Sequence, residues 1–170
     1  VDSTVDQTVA VNGGGQTTAD TFQLGGSVAF GFDAGKIGTT YTNWEVFQKV
    51  GTSNVTMTGA AGTDTDWNIL AGTLTISGGA ALFDTSSITV GTGATLNVTS
   101  TETVGSLSGV AGSFVALTGA TLFTGGNGES TSFGGTISGT GGLEKQGAGT
   151  FTLTGANTYT GSTGVGGGIL

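Results

Sequence analysis

The chain has few residue types with which to do chemistry. Its 170 residues include eleven carboxylates and three lysines (Lys36, Lys49 and Lys145), and no His, Cys, Arg or Pro. That removes the Ser-His-Asp triad, imidazole metal sites, thiol nucleophiles and disulfides. Paired carboxylates are what remain. Glycoside hydrolysis needs two of them about 5–9.5 Å apart, and the candidates Asp64, Asp66 and Asp84 share no motif. Pectate-type lyase chemistry relies on a basic residue, commonly Arg, and there is none. The sequence reads as a non-enzyme, with no catalytic residue and no cofactor. Its net charge of −8 argues against a nucleic-acid partner, because phosphate contacts require clustered Lys and Arg.

Other chemically suggestive stretches resolve into turns. Gly125-Gly126-Asn127-Gly128-Glu129-Ser130 is a faint version of a calcium-binding nonapeptide, but it occurs once and lacks the Asp. Asp64-Thr65-Asp66 reads as an exposed loop pair rather than a metal site. Gly31–Lys36 is one residue short of a phosphate loop, and Ile37 stands where Ser or Thr is needed. No metal ligand set is expected. Lys49 and Lys145 read as solvated strand residues paired with Glu45 or Glu144. The expected contact residues lie in or beside two loops that break the ladder, Asp33–Asn43 and Thr63–Trp67: Asp33, Lys36, Tyr41 and Trp44, then Asp64, Asp66 and Trp67. Trp44, Trp67, Tyr41 and Tyr159 have the chemistry of a sugar-stacking surface, although packing in the core or at corners is the commoner use.

The elements that would position these residues are short strands. Gly fills 36 places, the hydrophobic share is 35% and mean hydropathy is +0.21, with only 8% charged residues. Disorder needs the opposite balance, and collagen needs a three-residue Gly period with Pro. The abundant Thr, Val, Ile and Phe favour strands, while Gly, Ser, Asn and Asp supply corners. The longest apolar stretches are far too short to span a membrane. An internal repeat is visible: Phe47–Leu74 lies over Leu143–Leu170 without gaps at an offset of 96 residues, with Lys49 on Lys145. A shorter Gly-Thr-Leu unit ends at Leu74, Leu96 and Leu122 and in weaker forms at Phe151 and Leu170, giving a period near 24 and making 96 four turns. Within it Thr73–Ile76, Ala81–Phe83, Ile88–Val90, Thr95–Val98, Val104–Leu107 and Phe114–Leu117 read as strands. Alternation puts their aliphatic residues inside and Thr, Ser and Asn outside. The fold class is therefore all-β: a right-handed parallel β-helix of roughly seven coils. Residues 1–43 read as irregular coils or an N-terminal cap, and 44–170 as regular coils. Val1, not Met, opens the chain, and Gly168-Ile169-Leu170 closes it in mid-pattern, so both ends read as cuts from a longer protein.

At 139–170 the sequence resembles a known family. Gly139, Gly141, Leu143, Lys145, Gly147, Gly149-Thr150-Phe151-Thr152-Leu153, Gly155 and Asn157-Thr158-Tyr159-Thr160-Gly161 follow the pattern of the autotransporter-associated β-strand repeat. Phe151 replaces the usual Leu. Phe47–Leu74 is a degenerate copy without the Asn-Thr-Tyr-Thr-Gly box. The resemblance implies a passenger region of a type V autotransporter, shown outside the outer membrane of a Gram-negative bacterium. It also implies a C-terminal β-barrel elsewhere in the parent chain. Many relatives are adhesins, so the implied roles are adhesin or structural stem, then self-association between cells, then spacer and folding scaffold. The implied partners are a host matrix protein, a cell-surface glycan or a second copy. Missing Cys agrees with threading through the envelope.

Overall fold

The computed structural model describes residues 11–12 and 20–170; most of the sequence-defined 1–43 segment ahead of Asp20 lies outside the described residues. Among the described residues every strand is short, two to five residues, and every pairing is parallel. β1 (Val11–Asn12) precedes the first turn, which carries β2 (Thr21–Leu24), β3 (Phe30–Asp33), a 3-10 turn (Ala34–Lys36) and β4 (Tyr41–Thr42). Two turns of two strands follow: β5 (Val46–Lys49) with β6 (Asn54–Thr58), then β7 (Asp66–Ile69) with β8 (Thr73–Ile76). The next three have three strands each. They are β9 (Ser87–Val90), β10 (Thr95–Val98) and β11 (Glu102–Val104); β12 (Ser106–Gly109), β13 (Phe114–Leu117) and β14 (Thr121–Thr124); and β15 (Thr131–Phe133), β16 (Thr136–Gly139) and β17 (Gly142–Lys145). β18 (Phe151–Leu153) and β19 (Thr163–Val165) belong to the last turn.

Like strands stack across turns. One sheet runs β2-β5-β7-β9-β12-β15-β18, a second β3-β6-β8-β10-β13-β16, and a third β11-β14-β17-β19. β1 pairs with β4. The result is a parallel β-solenoid of about six turns, followed by the partial one that carries β18 and β19, in line with the roughly seven expected from dividing the full length by the period.

Register explains the composition. Val55, Leu74, Leu96, Val115 and Ile137 stand above one another in the six-stranded sheet, and each is fully buried. Phe47, Trp67, Ile88 and Leu107 form the matching ladder in the seven-stranded sheet. Outward, the latter sheet shows Gln23, Gln48, Asn68 and Thr89, with Gln23 Nε2 donating to Gln48 Oε1 at 2.8 Å. Stacked turns thus convert period-two alternation into continuous apolar and polar files.

Several sequence-level placements change. Leu122 is buried, but it pairs with Glu102 and Leu143 in the third sheet, not with Leu74 and Leu96. Ladder steps run from 19 residues (Val55 to Leu74) to 30 (Val11 to Tyr41), so 24 is not a constant period. The 96-residue offset therefore carries β5 past four turns and two further sides to β17. Ala81–Phe83 is a loop, and Val104–Leu107 is broken at Gly105, where a Cβ would collide with the Thr85 backbone.

Candidate functional site

The wide early turns leave a cleft of about 400 Å³, lined by Asn43, Trp44, Glu45, Thr63, Asp64, Thr65 and Asp66. Its position follows from register. Val46 pairs with Asp66, so the residues before β5 and β7 lie side by side on neighbouring turns. Asn43 bends the chain into β5 with φ at 58°, a left-handed conformation that Asn tolerates better than most residues. Trp44 is half-buried and its ring meets Phe22 edge-on, with centroids 5.3 Å apart. The carboxylates are tied to the neighbouring turns. Asp64 accepts from the Thr85 and Ser86 hydroxyls at 2.6 and 3.0 Å, Asp66 from Ser87 N–H at 3.0 Å, and Glu45 from Asp20 N–H at 2.8 Å. Bonds of this kind order the acids before any ligand arrives. One indole, one amide and three carboxylates suit a ligand with apolar faces and hydroxyl or amine edges.

Of the seven expected contact residues, three line this cleft: Trp44, Asp64 and Asp66. Asp33 and Lys36 are half-buried at the 3-10 turn, where Asp33 caps it by accepting from Gly35 N–H at 2.9 Å. Tyr41 and Trp67 are only 2% and 1% exposed. Tyr41 stacks on Phe32 and Trp67 packs against Phe47, inside an aromatic cluster that fills the early turns. Asn43 ends the expected contact loop Asp33–Asn43, whereas sequence reasoning missed Glu45, whose signal was its place just before an apolar strand, level with the Asp64–Asp66 loop.

Among the described residues, Lys49, Lys145 and Glu102 are charged-type side chains that lie inside the solenoid. Lys49 and Lys145 are wholly covered and bond to backbone carbonyls, not to Glu45 or Glu144 as solvated strand residues would. Loss of water draws the Lys49 ammonium below the ordinary lysine value. Glu102 is 1% exposed, at the edge of the third sheet. Its two oxygens accept from Leu82 and Ala81 N–H at 3.1 and 3.3 Å, fastening the 80–84 loop in place of a strand. Desolvation, reinforced by the nearby Asp84 charge, outweighs those bonds and pushes its pKa up to about 7.

The Asn-Thr-Tyr-Thr-Gly stretch closes the last turn. Asn157 Oδ1 accepts from Ile137 N–H at 2.9 Å, while Thr158 and Thr160 N–H donate to the Ile137 and Gly139 carbonyls at 2.8 and 2.9 Å. The segment thus satisfies the edge of β16 without strand geometry. The Tyr159 hydroxyl lies 2.6 Å from that of Thr163. Residues 143–170 match the passenger-associated-transport-repeat family, an autotransporter passenger repeat. No curated protein and no solved structure matches the chain.

Proposed function

We propose that the chain is a stretch of an autotransporter passenger, displayed outside a Gram-negative cell, where it acts as a non-enzymatic adhesin or structural stem. The observation that carries this reading is the passenger repeat at 143–170, which runs from β17 through β19 as part of a continuous solenoid. A rod of stacked coils spaces a contact surface away from the membrane, and the parent chain's barrel would anchor it.

Contact is assigned to the Trp44 cleft, and charge narrows the partner. With Lys49 and Lys145 inside, Lys36 is the remaining side-chain cation outside the core, while Glu45, Asp64 and Asp66 face the cleft. An acidic glycan would be repelled. A neutral or amine-bearing glycan fits, as does a basic loop of a matrix protein. The test is an array of neutral, amino and sialylated glycans plus matrix proteins, read with native chain and Trp44→Ala. Binding of neutral or amine-bearing ligands, weakened about tenfold or more by the substitution, supports the assignment. Preference for sialylated ligands, or indifference to Trp44, overturns it.

Self-association is the second reading. Two rods would pair through outward polar files such as Gln23, Gln48, Asn68 and Thr89. Concentration-dependent dimers in ultracentrifugation would move this role ahead, and silence in both assays would leave a spacer.

A further inference from the structure

Lys49 and Lys145 repeat more than a residue type. Lys49 Nζ donates to the carbonyls of Val50 and Gly51 at 2.8 and 3.0 Å and to Ala71, one turn on, at 3.0 Å. Lys145 Nζ donates to the carbonyls of Gln146, Gly147 (3.0 Å) and Gly167 (3.3 Å), again one turn on. Each acceptor in the second set lies 96 residues after its counterpart in the first. Yet the first corner leads from the seven-stranded to the six-stranded sheet, and the second from the third sheet to the seven-stranded one. Two different corners therefore converge on one arrangement: three carbonyl oxygens around one ammonium.

The stoichiometry is complete. An ammonium has three N–H donors and no acceptor, and it meets three acceptors and no donor. The lysines are not there to fill apolar space. Lys49 stacks between Leu24 and Ile69, and Lys145 between Thr124 and Val165, positions where uncharged side chains serve. Clearance is built in by glycine. A Cβ at Gly72 would lie 2.8 Å from Lys49 Nζ, and one at Gly125 would lie 3.0 Å from Lys145 Nζ. The partners of each cation are carbonyl dipoles, as they would be around a bound monovalent ion.

We propose that each corner is a carbonyl-lined binding site for a small monovalent cation of the ammonium type, which the folded chain fills with its own lysine to fasten successive turns together. A corner emptied of its lysine should accept a free cation of that size. Lys49→Ala and Lys145→Ala in the full chain are melted in equal concentrations of ammonium, potassium and tetramethylammonium chloride. Both variants should melt below the native chain and recover part of the loss in ammonium or potassium, but not in tetramethylammonium, which is too bulky to enter. The native chain should show no such selectivity. Lys49→Met and Lys145→Met, which keep the bulk without the charge, should lose stability and not recover. Equal response to all three salts, or a Met variant as stable as the native chain, overturns the proposal. Should the Ala variants not fold, amine acylation of the native chain decides. Lys36 should react freely and Lys49 and Lys145 at least about tenfold more slowly, because an opening step must come first. Similar rates at all three lysines contradict the site.

Discussion

Single residues carry most of what is unusual in this chain, and alternation exposes them. In Phe47-Gln48-Lys49, Phe47 points inward, so Lys49 does too; Leu143-Glu144-Lys145 and Glu102-Thr103-Val104 obey the same rule. The pattern was legible, but the chemical expectation that charges face water overrode it. What the pattern cannot supply is the partner: the carbonyl cage and the Ala81–Leu82 amides come from other stretches of chain. Glu102 gives a pH prediction. Its folded pKa of about 7 lies above the ordinary 4.5, so the folded state holds its proton more tightly. The associated stability is fully present below about pH 4.5 and is lost as pH rises through 7. Melting temperature should therefore fall between pH 5 and pH 8 in the native chain, and fall less in Glu102→Gln; an equal slope in both would contradict the assignment. Leu96, fully buried between Leu74 and Val115, belongs to the core. Leu96→Ala should cost about 2–5 kcal/mol, and Leu96→Asp still more because it buries an unpaired charge. A loss under about 1 kcal/mol in denaturant unfolding would mean the side chain faces outward.

Strands and corners were legible to different degrees. Thr73–Ile76, Thr95–Val98 and Phe114–Leu117 match their strands because a buried ladder demands strict alternation there. Ala81–Phe83 failed because burial without strand pairing gives the same apolar signal: Ala81 and Leu82 are buried, yet their N–H groups serve Glu102. The cleft was half legible. Its aromatic and acidic residues stand out in sequence, but Trp44 meets Asp64 and Asp66 only through the register of β5 on β7. Corners separate two demands on glycine. Gly72 and Gly93 both have positive φ, 68° and 76°. A Cβ at Gly72 would also crowd the carbonyls of Gly51 and Ser53 at 2.5 and 2.6 Å, whereas one at Gly93 would meet nothing within 4 Å. Gly93→Ala should thus cost the conformational term alone, about 1–2 kcal/mol, and Gly72→Ala clearly more. Equal losses in denaturant melts would show that the close approach at Gly72 is absent.

The whole molecule behaves as a stack, with each turn sealed by its neighbours. Turns in the middle pair on both sides, and the turn from Phe151 to Leu170 pairs on one. Stability in such arrays is a sum of nearest-neighbour terms, so ends open first. Amide exchange should be slowest in β8, β10 and β13 and faster in β18 and β19; uniform protection in a monomer would contradict this. The fold class was readable because length, alternation and the repeat all pointed to stacking. The turn length was not, because corners and loops absorb insertions freely while the ladders stay aligned. The central claim is parallel register between turns, and disulfide trapping tests it directly because the chain has no Cys of its own. Asn97 and Ala116 face outward as register partners, while Ser138 stands one strand beyond Ala116. Adjacent strands lie about 4.8 Å apart, within reach of a disulfide, and the second neighbour lies outside it. Under mild oxidation Asn97→Cys/Ala116→Cys should form an intramolecular bond readily, and Asn97→Cys/Ser138→Cys should stay reduced. Efficient closure of the second pair with failure of the first would refute the stacked solenoid.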